Sequence, residues 1–124
     1  MIVVDASAIL EILKHSDVGL DLALKLDDED IHAPHLIDVE VASVLRRWVA
    51  RGEMTATGAL RAFDEFIDMP LQRHPHTHLL PEIWKHRHNL SAYDACYLAL
   101  SMYLDAELLS IDGGLVKSAT RRMH

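Results

Sequence analysis

Ile2-Val3-Val4-Asp5-Ala6-Ser7-Ala8-Ile9-Leu10 opens the chain and decides how the remainder is read. The run Ile2-Val3-Val4 is β-branched and stiff at χ1, and predicts a short buried strand. From Ala6 to about Lys14 the composition turns helical, with Ile9, Leu10 and Leu13 on one face. The change from strand to helix falls at Asp5. A carboxylate there has two readings. It is an N-cap for the helix, or it stands at the carboxyl end of a strand, where open α/β sheets form their ligand crevice.

The same alternation continues along the chain. Asp17 to Leu26 is helical in pattern, and Asp27-Asp28-Glu29-Asp30 is an acidic run expected to be a solvated loop. Ile31 to Ala33 reads as a short strand ended by Pro34. From Ile37 to Arg51 the residues Val41, Val44, Leu45, Trp48 and Val49 keep helical spacing, and Gly52 suits the position just past the helix end. Thr55 is placed to cap a helix from Ala56 to Asp68, with Leu60, Phe63 and Ile67 expected inward. Leu71 to His74 is a weak strand candidate, and Leu79 to His88 a short helix. Ser91 is expected to start a buried helix, Ala92 to Leu104, that includes Tyr93, Tyr97 and Met102. Leu108 to Ile111 reads as the last strand, followed by a sharp turn at Asp112-Gly113-Gly114 and a basic tail, Lys117 to Arg122. Strands alternating with helices predict an α/β fold, a mainly parallel sheet with helices on both faces.

Half of the 124 residues are hydrophobic and a quarter are charged, which predicts one globular domain over residues 1–124. No apolar run approaches the roughly 18 residues of a membrane span. Met1 leads straight into a strand without a basic leader, so a cytoplasmic location is expected. Cys96 is the single cysteine and reads as a small buried hydrophobe. A formal net charge of −7 argues against a general nucleic-acid coat protein, while leaving room for an enzyme that uses a local basic patch. His74, His76 and His78 alternate as strand-borne zinc ligands do. Pro75 interrupts any regular strand there, so a surface histidine cluster is the expectation, as it is for His86 and His88.

Four carboxylates stand out by position. Asp5 and Asp112 each follow an apolar strand. Asp94 lies in the first turn of the buried helix, where Ser91-Ala92-Tyr93-Asp94 also matches a capping box. Glu40, near the start of its helix, lies about 60° from the centre of the apolar stripe, and a favourable dipole partner is its other reading. Two carboxylates about 4 Å apart repel by roughly 4 kcal/mol at an effective dielectric of about 20. A shared crevice must therefore protonate them, splay them or hold a cation. An all-oxygen donor set suits Mg²⁺ or Mn²⁺, ions that activate water for phosphodiester hydrolysis.

Val3-Val4-Asp5-Ala6-Ser7, Pro34 through Glu40 into Val44-Leu45, Leu90-Ser91-Ala92-Tyr93-Asp94-Ala95 and Leu108-Leu109-Ser110-Ile111-Asp112 resemble, in order, the motifs of the PIN-domain ribonucleases. Among these the chain is most similar to the VapC-type toxins of toxin–antitoxin pairs. The resemblance implies a three-layer α/β/α fold with a central, mainly parallel twisted sheet. It also implies a metal-dependent endoribonuclease using Mg²⁺ (or Mn²⁺) at Asp5, Glu40, Asp94 and Asp112, with Ser7 and Ser110 at polar positions behind them. A cognate antitoxin and a homodimer follow from the resemblance alone. Arg47, seven residues after Glu40 and so on the same helix face, is a candidate RNA phosphate contact; Arg46, Arg51, Arg73 and Lys85 are vaguer ones. The alternatives are a catalytically silent PIN-like binding module and a receiver-like domain phosphorylated on Asp. The receiver needs an acidic neighbour for Asp5 and a lysine near Asp112, and the sequence has neither.

Overall fold

The structure, a computed structural model, describes residues 1–115. Its strands are β1 (Ile2–Val4), β2 (Ile31–Pro34), β3 (Leu71–His74) and β4 (Glu107–Leu109). Its helices are α1 (Ala6–Lys14), α2 (Asp17–Leu26), α3 (Leu36–Ala50), α4 (Ala56–Asp68), α5 (Leu80–Lys85) and α6 (Ala92–Leu104). A 3₁₀ turn, Thr77–Leu79, leads into α5. All strand pairs are parallel, in the order β3-β2-β1-β4. The basic tail from Lys117 lies outside the described residues.

Three residues of β1 divide between two cores, because successive side chains of a strand point to opposite faces. Ile2 and Val4 join Ile9, Ile37, Val41 and Leu45 on the face covered by α1, α3 and α4. Val3 joins Leu79, Ile83, Cys96 and Leu100 on the face covered by α5 and α6. The result is three layers, helix–sheet–helix. Side-chain oxygens of Asp5, Ser16, Thr55 and Ser91 accept backbone N–H groups at the starts of α1, α2, α4 and α6. Gly52, at φ 73°, takes the left-handed position just past α3 that glycine tolerates without strain. Gly19 has a different role: a Cβ there would stand 2.0 Å from the Glu11 carbonyl oxygen, so only glycine lets α2 lie this close to α1.

The strand order places a reversal beside β1. The chain steps from β1 to β2 to β3 on one side, then returns to β4 on the other. Such switch points open a crevice at the carboxyl ends of the flanking strands. Val4 pairs with Leu109, so Asp5 and Ser110 emerge side by side at that crevice.

Four sequence expectations are corrected. β4 ends at Leu109 rather than Ile111, since its partner β1 has already turned into α1. Asp112-Gly113-Gly114 is no free turn, because Asp112 Oδ1 accepts the Leu115 N–H at 2.8 Å and Gly113 to Leu115 form a helical turn. The inward face of α4 is Ala59, Ala62 and Phe66, with Leu60 and Ile67 exposed. Tyr93 of α6 is exposed as well.

Candidate active site

Asp5 caps α1 while standing at the carboxyl end of β1. Its Oδ1 accepts the Ala8 N–H at 3.0 Å, the N-cap bond of α1, and the Ser7 hydroxyl at 2.7 Å. Its Oδ2 accepts the Ser110 hydroxyl at 2.5 Å. Asp5 is only 3% exposed. The two serines carry the network onward. Ser7 Oγ accepts the Ile111 N–H at 3.2 Å, and Ser110 Oγ accepts the Asp112 N–H at 2.9 Å. Two hydroxyls thus tie the first carboxylate to the backbone that presents Asp112.

Asp94 is reached from the other layer. Ser91 caps α6 by accepting the Asp94 N–H at 3.1 Å. The Asp94 carboxylate accepts no hydrogen bond from the Ser91 N–H, so the reciprocal half of a capping box is not made. Glu40, half-buried on α3, accepts the Tyr97 hydroxyl at 2.6 Å. Sequence reasoning placed Tyr97 among the apolar residues of α6 and missed this bond. The available signal was that a buried tyrosine needs an acceptor for its hydroxyl, and that Tyr97 lies three residues after Asp94 on one helix face.

Three of the four carboxylates respond to burial and to their neighbours. Burial pushes Asp5 above the ordinary carboxylate range against the pull of its hydrogen bonds, and the Asp112 charge adds to the rise. Glu40 is raised first by burial, with Tyr97 opposing and Asp94 and Asp5 contributing. Asp94 is raised by burial, then by Asp112 and Asp5. Among the described residues no lysine or arginine forms a salt bridge with any of the four. Nor do three His, Cys, Asp or Glu side chains of the described residues converge into a ready-made metal cage. The donor set still fits a hard divalent ion, since Mg²⁺ binds through one or two carboxylates and keeps several waters.

Cys96, Arg73 and Lys85 fall away from the chemistry. Burial pushes the Cys96 thiol up to about 11, which leaves it protonated and unreactive near neutral pH. Arg73 is committed to Asp38, its Nε lying 2.8 and 3.0 Å from the two carboxylate oxygens. Lys85 lies 3.9 Å from Glu82. Arg47 is exposed, as are Arg46 and Arg51. The histidines are not simply a surface cluster. His74 and His76 are half-buried, and His74 Nε2 lies 2.7 Å from Nδ1 of the buried His32 on the neighbouring strand.

Comparison with known proteins gives consistent likenesses. Residues 2–119 match the PIN domain. Ribonuclease VapC9 of Mycobacterium tuberculosis is 41% identical over 112 residues, 90% of this chain and 86% of that protein. Ribonuclease VapC1 of the same organism is 38% identical over 115 residues, 91% and 86% of the two chains. In fold, the chain is similar to the crystal structure of M. tuberculosis VapC20, described as a sarcin–ricin loop cleaving toxin. There the TM-score is 0.71 at 14% identity, with 95% of both chains covered. A Pyrobaculum aerophilum protein gives a TM-score of 0.70 at 20% identity, covering 98% of this chain and 88% of its own.

Proposed function

We propose, since the chain belongs to the PIN-domain family and within it to the VapC-type ribonucleases, that it is a metal-dependent endoribonuclease, the toxin of a toxin–antitoxin pair. The domain is residues 1–124, the location cytoplasmic, and the acidic centre Asp5, Glu40, Asp94 and Asp112. One observation carries the reading. At the switch point of a parallel sheet Asp5 is buried and Glu40 and Asp94 are half-buried, with Asp112 exposed beside them. Burial first, and then neighbouring members of the four, raise the proton affinity of Asp5, Glu40 and Asp94, and no lysine or arginine of the described residues forms a salt bridge with any of the four. Uncompensated buried negative charge is costly, and a site that keeps it is built for a cation.

Asp5, Glu40, Asp94 and Asp112 are the residues that would hold Mg²⁺ or Mn²⁺. A divalent ion bound there supplies Lewis acidity toward a phosphodiester oxygen and lowers the pKa of water. The chain's own part is placement. Ser7 and Ser110 use hydroxyl donors to fix both oxygens of Asp5, and Ser110 also holds the Asp112 backbone. Arg47, two turns beyond Glu40 on α3, faces solvent where an RNA phosphate can approach. Residues Arg46 and Arg51 add positive charge at the same helix end, which assists binding without base recognition.

Purified protein should cleave RNA with Mg²⁺ or Mn²⁺ and stop in EDTA. Asp5→Asn, Glu40→Gln, Asp94→Asn and Asp112→Asn should each abolish cleavage in a folded protein. Cleavage that persists in EDTA and survives every one of these substitutions would overturn the mechanism. A folded protein that binds the ion without cutting any RNA would favour a binding module instead. A homodimer and a basic antitoxin that covers the acidic crevice complete the proposal.

A further inference from the structure

We infer that Tyr97 is a positioning residue for Glu40, its hydroxyl selecting the carboxylate rotamer that faces Asp94 across the crevice. The inference rests on the acidic site proposed above. Tyr97 donates to Glu40 Oε1 at 2.6 Å across 57 residues of sequence. Its side chain is 1% exposed, and its ring belongs to the same apolar cluster as Ile37 and Val41, which flank Glu40 on α3. A ring held this way carries its hydroxyl to one place. Glutamate has three rotatable bonds, so an unheld Glu40 would sample several rotamers, and repulsion from Asp94 and Asp5 would favour those turned away. The phenol opposes that drift.

The placement of the bond matters as much as its length. α3 packs on α1, α4 and β2, whereas α6 packs on β1, β2, β4, the 3₁₀ turn and α5; the two helix backbones share no broad contact. The Tyr97–Glu40 bond therefore joins the element carrying Glu40 to the element carrying Asp94, one turn from Asp94 itself. Glu40 Oε2 has no protein donor among the described residues, which leaves that oxygen for a cation. Partners that orient a ligand in this way typically contribute about 10- to 100-fold to metal affinity or activity when removed.

The test uses the full chain and Mn²⁺ as the probe, with binding followed by electron paramagnetic resonance apart from any cleavage. Tyr97→Phe keeps the ring and removes the hydroxyl. The expected result is a folded protein whose Mn²⁺ affinity falls about tenfold or more, with kcat reduced and KM for an RNA oligonucleotide unchanged. In a Glu40→Gln background the same substitution should have no further effect on Mn²⁺ affinity. A tyrosine with only a packing role would lower thermal stability and leave affinity and kcat alone, and that outcome overturns the inference. Should Tyr97→Phe fail to fold, 4-fluorophenylalanine at position 97 keeps the ring and nearly its length while removing the donor; an unchanged Mn²⁺ affinity again overturns the idea. Wild-type protein that binds Mn²⁺ but cuts no RNA would overturn the nuclease reading and leave the Tyr97 comparison intact. Protein that binds none would overturn both.

Discussion

Asp5 is a carboxylate that the fold both needs and resists. Its hydrogen bonds cap α1 and tie in Ser7 and Ser110, yet burial disfavours its charge strongly enough that the net shift is upward. A group raised in the folded state binds its proton more tightly there than in the unfolded chain. The stability its protonated form contributes is fully present below the unfolded value near 3.8, and is lost as pH rises through the higher folded value. Asn keeps the acceptor oxygen for Ala8 and Ser7, and its amide can donate to Ser110, so Asp5→Asn isolates the charge. In EDTA at neutral pH the variant should melt at or above the wild type, and the gap should close as pH falls toward 4. Mg²⁺ should raise the melting temperature of the wild type more than that of the variant, since an ion bound only by the folded state stabilises it. Thermal unfolding across pH checks both. A variant that melts with the wild type at every pH and shows the same Mg²⁺ shift would return Asp5 to a simple capping role, which Asn fills as well as Asp.

α4 shows how an element can be recognised and still be turned the wrong way. The largest apolar side chains, Leu60, Phe63 and Ile67, keep helical spacing and look like the buried stripe. The helix instead faces inward with Ala59, Ala62 and Phe66, about 100° round. Its neighbours are α1 and α3, and alanines let the backbones come close, a gain that periodicity does not register. Leu60 and Phe63 of the displaced stripe, with Ala42, Leu45 and Val49 of α3, line an apolar groove of about 400 Å³. Phe66→Ala should cost about 3–5 kcal/mol in urea unfolding, as expected for an aromatic removed from a core. Leu60→Ser, at a position 66% exposed, should stay within about 0.5 kcal/mol. The reverse order would mean that the sequence pattern chose the right face. β4 is a second case. Ser110 leaves the strand because its hydroxyl goes to Asp5 and accepts the Asp112 N–H, local bonds that compete with ladder pairing.

At the scale of the molecule, the order β3-β2-β1-β4 concentrates negative charge at one end of the sheet, on a chain whose formal net charge is already −7. Such a surface repels RNA except where arginines or a metal ion intervene, and it attracts a basic partner. Arginine matches a carboxylate with its planar, two-pronged donor set. Co-expression with a small protein from the neighbouring reading frame should therefore yield a complex that purifies intact and suppresses growth arrest. Separate purification with arrest undiminished would end the antitoxin proposal. Among the described residues, no helix is long and apolar enough to cross a membrane.

Most element positions were determined by the sequence alone, because strand stiffness, helical spacing and capping are short-range effects. The spans of α1, α2, α4, α6 and β3 are those the residues predict, and Thr55 and Ser91 cap as their types require. The four carboxylates were legible as residues at strand ends and helix starts, and their order along the chain carried the family resemblance. What holds them was decided by tertiary structure. Tyr97 meets Glu40 across 57 residues, Ser110 meets Asp5 across 105, and His32 meets His74 across 42. No local pattern encodes such pairs, since each depends on which strands become neighbours and how closely their helices pack. The face that α4 buries and the last residue of β4 were settled in the same way, by the partner each element met.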